Sequence, residues 1–266
     1  MNLSHTLSSV TSRFAAGLAM AAVASFPGSP VMAEEPDRLA PIRATLDAHG
    51  GLDTWQQQGT LTYVLTGFPL SGPMSQPNTS TIDLRSRANR IDGQGFTVGW
   101  NGEQAWSTGE PNSSGLPSRF VTLGSFYFLG MPFVFADPGT VITERVDVEF
   151  EGQTYRSVGV GYEQGIGSTA EDDYVLLIDP ESDRLFAIHH SVTETGVERV
   201  TWVFNDWQEQ DGLFAPARLT FYAGWNPDDP GQGAVTEVSE LDFRTQRPNA
   251  NIYRVPADAT IDQLAE

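Results

Sequence analysis

From Thr60 almost to Arg244 the chain alternates apolar and polar side chains with a period of two, and this limits the fold more than any other feature. Leu61, Tyr63 and Leu65 alternate with Thr60, Thr62 and Thr66, the pattern of a strand with one buried face. The same rhythm returns at 81–85, 87–92 and 94–101, where Phe96, Val98 and Trp100 share a face, and at 103–107 with Trp106. It resumes at 141–150, 153–162, 173–179, 184–191, 198–208, 213–224 and 234–244. Asn101-Gly102, Glu151-Gly152 and Asp211-Gly212 are two-residue turn signals. Connections this short imply antiparallel neighbours. The fold class is therefore mainly β, with few helices: about ten or eleven strands in a sheet too long to stay flat, which twists and curls into a trough or half-barrel.

Two segments break the alternation. Residues 37–49 carry Leu39, Ile42 and Leu46 at helical spacing, with Pro41 tolerable in the first turn. Gly50-Gly51 ends that helix, and 52–57 adds a short turn bearing Trp55. Residues 117–128 have a helical reading and run into 126–139, the most apolar stretch after the leader. That stretch holds Phe126, Tyr127, Phe128, Phe133 and Phe135 with Leu129, Met131 and Val134, and Gly130 and Pro132 interrupt it. It is shorter than the roughly 20 apolar residues a membrane span requires. Its expected place is the hollow of the curved sheet, as an apolar plug beside the N-terminal helix.

Residues 1–33 read as a cleaved signal peptide, with Arg13, an Ala-rich apolar run and Val31-Met32-Ala33 before the cut. Residues 34–266 then form one domain, and the expected location is periplasmic or secreted. Without a cysteine the chain cannot be a lipoprotein and has no disulfide, so its stability must come from its core. The net charge is −19, and all fifteen basic residues are arginines. Such an acidic surface argues against nucleic acid and against anionic lipid headgroups. No stable membrane insertion is expected: an outer-membrane barrel would need a continuous lipid-facing band that these strands lack.

Several short signatures occur in a fixed order: His49-Gly50-Gly51 with Trp55, then Phe126-Tyr127-Phe128 with Met131-Pro132-Phe133 and Asp137-Pro138-Gly139. Residues 174–180 followed by Arg184-Leu185, and Asp211-Gly212-Leu213-Phe214-Ala215-Pro216, complete the set. In this order, over most of 37–245, the chain resembles a group of exported bacterial proteins related to the LolA/LolB lipoprotein carriers. The resemblance implies a half-barrel plugged by helices, with acyl chains in its hollow. This chain is larger than those carriers, and no ligand-contacting residue is taken over from them.

The residues themselves offer an aromatic inner set. Trp100, Trp106, Trp202, Phe204 and Phe221, together with Phe126, Phe128, Met131, Phe133 and Phe135, are the candidate ligand-binding residues; Tyr222 belongs to the same strand as Phe221. For each of them singly, ordinary core packing is the competing reading. His189-His190 lies on a strand, so the two rings point to opposite faces and cannot chelate one metal together. His49, beside two glycines, reads as a capping or packing residue. Asp206, Asp211, Asp228, Asp229, Glu171, Asp172 and Asp173 sit at turns and read as turn formers and solvated charge. There is no Gly-x-Ser-x-Gly elbow, phosphate loop or His-Glu-x-x-His. No catalytic residue, metal or cofactor is assigned, and the expected function is a non-catalytic binder or carrier of a hydrophobic small molecule or lipid in the bacterial envelope. An envelope scaffold with a fully packed core and its own protein partner is one alternative. A carboxylate-based hydrolase is the other; it requires two carboxylates, or His190 with a carboxylate, converging in an open cleft.

Overall fold

The computed structural model describes residues 37–70, 72–111, 116–150, 152–164, 171–193, 196–224 and 231–262. The expected signal peptide lies outside them, as do residues 112–115 and the expected turn formers Asp228 and Asp229. Among the described residues there are fourteen strands: β1 (Thr60–Thr66), β2 (Asn78–Asp83), β3 (Asn89–Gly93), β4 (Phe96–Trp100), β5 (Ala105–Thr108), β6 (Thr140–Glu144) and β7 (Val148–Phe150), followed by β8 (Gln153–Tyr162), β9 (Tyr174–Ile178), β10 (Leu185–Val192), β11 (Val197–Gln210), β12 (Leu213–Tyr222), β13 (Ala234–Arg244) and β14 (Thr260–Ile261). The helices are α1 (Arg43–Ala48), α2 (Leu52–Gln57) and α3 (Ser118–Gly130).

The strands form one antiparallel sheet in the order β14-β5-β4-β3-β2-β1-β13-β12-β11-β10-β9-β8-β6, with β7 beside β6 along β8. Two meanders, β1–β5 and β8–β13, are joined where β1 meets β13, with Leu61 opposite Phe243 and Leu65 opposite Val238. The sheet does not close into a barrel; β14 and β6 are its edges. Turn chemistry follows the sequence. Asp211 and Gly212, between β11 and β12, both take positive φ (51° and 80°), the conformation a two-residue hairpin loop needs.

One face of the sheet carries the core. Leu61, Tyr63 and Leu65 are buried and alternate with half-buried neighbours; Ile82, Ile91, Val98, Leu176, Ile188, Phe204 and Leu219 extend the same cluster across both meanders. The helices cover this face. α3 follows Pro117, has no proline inside it, and ends at Gly130 before Met131-Pro132. It rests on β3, β4 and β5 and reaches β12. Its buried Ser118, Thr122 and Ser125 are small enough to let it approach the strands closely, and Asn89 on β3 donates to the Thr122 carbonyl at 2.7 Å. Residues 133–136 then form a short 3-10 turn, in which Phe133, Val134 and Phe135 are buried. The Phe/Pro-rich segment thus lies inside the curved sheet.

Two of the sequence signatures meet at the helical end. Gly50 has φ 108°, and a Cβ there would sit 2.0 Å from the Gly212 carbonyl oxygen. Phe214 N–H donates to the His49 carbonyl at 3.0 Å. The helix-ending glycine and the hairpin-turn glycine are therefore the two halves of one contact.

Three strand assignments depart from the expected ones by more than two residues. β2 begins at Asn78 rather than 81, because residues 78–83 pair fully with β1. The expected strand 141–150 is broken at 145–147 into β6 and β7, which pair in turn with the long β8. The break lets β7 turn onto a small second cluster on the outer face, built on Phe150, Tyr155, Leu177, Ala187 and Val203. The polar C-terminal tail, to which the sequence pattern assigns no strand, adds β14 to the edge at β5.

Candidate functional site

Between α3 and the sheet lies a cavity of about 560 Å³. The helix presents Phe120, Leu123, Gly124, Tyr127 and Phe128 to it. On the sheet side Val200, Trp202, His190, Tyr174 and Phe221 form the wall, and Phe68, Pro69 and Leu70 close one flank. Leu70, Leu116, Phe120, Leu123 and Phe221 are only half-buried, so solvent reaches the cavity along that rim. Gly124 has open space where a Cβ would stand, so this turn of α3 leaves room that any other residue would reduce.

The ten residues expected to bind a ligand divide into four positions. Phe126, Phe128, Trp202 and Phe221 line the cavity, with Trp202 packed against Phe128 (centroids 4.3 Å apart) and Phe221 (5.0 Å). Met131, Phe133, Phe135 and Phe204 are buried in the core behind it: Phe133 stacks on Trp55 at 4.7 Å, and Phe204 lies parallel to Trp207. Trp100 shares the inner face of β4 but lies outside the lining. Trp106 is on the other face, because it pairs directly with Gly99 and its ring lies over that glycine. There its indole donates to the Tyr253 carbonyl, and Arg90 sits 6.0 Å from the ring centroid. Tyr222, adjacent to Phe221 on a strand, likewise packs on the outer cluster. Among the residues the sequence reading did not single out, Phe68, Leu70, Phe120, Leu123 and Gly124 line the cavity. A helical wheel of 118–130 would have shown the α3 members on one side.

The cavity has two polar ends. Arg87, whose Nη2 donates to both carboxylate oxygens of Asp137 at 2.8 Å, stands over the Phe126 ring at 5.3 Å. Arg87 is the one arginine of the lining among the described residues. Burial raises the Asp137 carboxyl pKa against the opposing pull of Arg87. At the other end the His190 ring is stacked on Tyr174 at 4.9 Å. Its Nδ1 faces the Ser191 carbonyl at 2.7 Å, which fixes that nitrogen as the donor, and Nε2 has no hydrogen-bond partner. Burial pushes this imidazole down to about 4. Asp172 accepts from Ser191 Oγ, Thr193 N and Thr193 Oγ1. Tyr127 and Tyr162 hydroxyls are hydrogen-bonded to each other, and burial raises the Tyr162 and Tyr174 phenols.

His189, on the outer face, meets Thr201 Oγ1 at 3.0 Å. His49 is enclosed: its Nδ1 bonds the Thr45 carbonyl at 2.7 Å and its ring meets Trp207 edge-on. Among the described residues, no three His, Asp or Glu side chains gather as a metal site, and no helix is long and apolar enough to cross a membrane.

A second chamber, of about 400 Å³, adjoins the first and shares Arg87, Asp137 and Pro138 with it. Its wall is polar: Gln56, Gln58 and Arg85 join Arg87 there, beside Leu52, Trp55 and Phe133.

No protein-family model and no curated protein sequence matches this chain. Solved structures do. The LolA superfamily protein NE2245 from Nitrosomonas europaea is 9% identical, with TM-score 0.50, over 82% of this chain and 97% of that one. A DUF1329 family protein from Desulfovibrio piger is 11% identical over 76% of this chain and 93% of its own, at TM-score 0.48. A domain assigned to outer membrane lipoprotein sorting, from Vibrio parahaemolyticus, is 11% identical over 77% and 99%, at TM-score 0.42. At such identities the likeness is one of fold, and the fold is LolA-like.

Proposed function

We propose that this protein is an exported, non-catalytic binder or carrier of a hydrophobic ligand bearing an acyl chain, and that the cavity between α3 and the sheet is its site. One observation carries the reading: about 560 Å³ of space, walled by aromatic and aliphatic side chains, is left inside a LolA-like curved sheet. That volume falls within the range of small-molecule sites, whereas a scaffold with a closed core would have filled it. A chain of about a dozen buried methylenes gains roughly 10 kcal/mol before ordering costs are subtracted, enough for micromolar or tighter binding.

The hydrolase alternative finds His190 and Asp172 in one wall, but their bonding does not favour it. A dyad needs the carboxylate on the imidazole N–H; here that N–H is directed at the Ser191 carbonyl. An imidazole held near 4 is also a weak base at neutral pH.

To test the proposal, the protein purified from a bacterial envelope is extracted with organic solvent and the extract analysed by mass spectrometry. The delipidated protein is then titrated with 1-N-phenylnaphthylamine, a neutral apolar probe. A co-purifying amphiphile and saturable one-to-one probe uptake are expected. An empty protein that takes up no probe contradicts the reading.

A further inference from the structure

We infer that the polar chamber beside the cavity seats an anionic headgroup, so that the ligand is an amphiphile carrying a carboxylate or a phosphate. This rests on reading the neighbouring cavity as the seat of its apolar chain. Arg87, Asp137 and Pro138 line both spaces, one of them apolar and the other polar. A molecule with a chain and a head fits that division.

The chamber's arginines are incompletely used. Arg87 spends one terminal nitrogen on both oxygens of Asp137, while its Nη1 is buried with no hydrogen-bond partner. A guanidinium offers five donors, and an oxyanion is the partner they match best. Arg87 also holds φ 62°, a left-handed backbone that is costly for a non-glycine residue and that clusters at ligand sites. Arg85, two residues away, lines the same chamber, and among the described residues its guanidinium has no hydrogen bond or ion pair. Gln56 and Gln58 line the same space, and the Gln58 amide N–H donates to the Thr54 carbonyl.

Charge sharpens the contrast. The whole chain carries −19 and has no lysine, yet this wall sets two arginines against the single carboxylate of Asp137. The acidic exterior opposes docking on an anionic bilayer, while Arg87 in the chamber and the exposed Arg85 at its rim recognise one lipid at a time. The two features are compatible because surface charge is screened over about 8–10 Å of salt solution.

The test uses the delipidated full-length protein and displacement of 1-N-phenylnaphthylamine by four dodecyl amphiphiles below their micellar concentrations, at neutral pH. Dodecanoate and dodecyl phosphate are expected to displace the probe at concentrations about tenfold lower than dodecanol, the contribution of one added charge-assisted hydrogen bond. Dodecyltrimethylammonium should be weaker than dodecanol. Comparing the two anions separates a carboxylate from a phosphate head. Arg85→Gln and Arg87→Gln should each shrink the anion-to-alcohol ratio; where Arg87→Gln fails to fold because it strands Asp137, Arg85→Gln leaves no partner behind and carries the test. If the probe binds but dodecanol matches or exceeds both anions, or if Arg85→Gln leaves the ratio unchanged, the headgroup inference is overturned and the cavity reading stands. If the probe does not bind at all, both fall.

Discussion

Gly124 is the residue on which the cavity most simply depends. Its Cβ position is open and faces the hollow, so Gly124→Leu fills space without displacing a neighbour. Probe affinity should fall by more than tenfold, while the ligand-free protein gains up to about 1 kcal/mol in urea unfolding, because leucine favours a helix over glycine. A merely structural glycine would give the opposite sign of stability. The buried imidazoles make a second prediction. Burial pushes His49 and His190 from 6.5 down to about 4, so the unfolded chain binds protons that the folded one refuses. Stability is therefore full above pH 6.5 and falls as the pH drops towards 4, by up to roughly 3 kcal/mol for each group, and changes no further from this source below that. His189 shifts in the same direction. Around His190 the charges of Asp172 and Asp173 work against the shift and that of Arg199 works with it. Urea midpoints between pH 7.5 and pH 4 should fall less steeply in His190→Gln than in the parent; an unchanged slope would mean that His190 titrates in the fold as it does in the unfolded chain.

Among the elements, the α1–hairpin junction is the most sharply testable. Gly50 and Gly51 both have positive φ, but only Gly50 presses on the Gly212 carbonyl, and the Cβ position of Gly51 is open. Gly51→Ala should cost about 1 kcal/mol, the backbone penalty alone, whereas Gly50→Ala adds a steric clash and should cost about 3 kcal/mol or more. Equal losses would place the cost in the backbone only. The strands themselves were legible because alternation is local: β8 and β13 begin and end where the pattern does, and the Asp211-Gly212 turn forms as its residues dictate. The break between β6 and β7 was not legible. Val141, Ile142, Val146 and Val148 keep an apolar density that reads as one strand, and the interruption exists only because β7 has an outer-face cluster to cover. The face of Trp106 was hidden for a similar reason. An aromatic residue on a strand is read as inward, but Gly99 opens a slot for it on the outside. That slot can be seen in sequence only once the β4–β5 register is known.

For the whole molecule, the decisive pairing is the one no local pattern could show: β1 with β13, which turns two meanders into one curved sheet with a single concave face. α3 crosses that face without filling the space beneath it, and the unfilled part is the cavity. Trp202 stands in its wall, while Trp55, Trp100, Trp106 and Trp207 do not. The most direct measurement is therefore quenching of tryptophan fluorescence by a fatty acid brominated in its chain, a quencher that acts only on contact, titrated into the delipidated protein. Saturable quenching that is largely lost in Trp202→Phe and retained in Trp106→Phe is the predicted result. Absence of saturable quenching, or quenching that persists undiminished in Trp202→Phe, would contradict the placement of an acyl chain between α3 and the sheet.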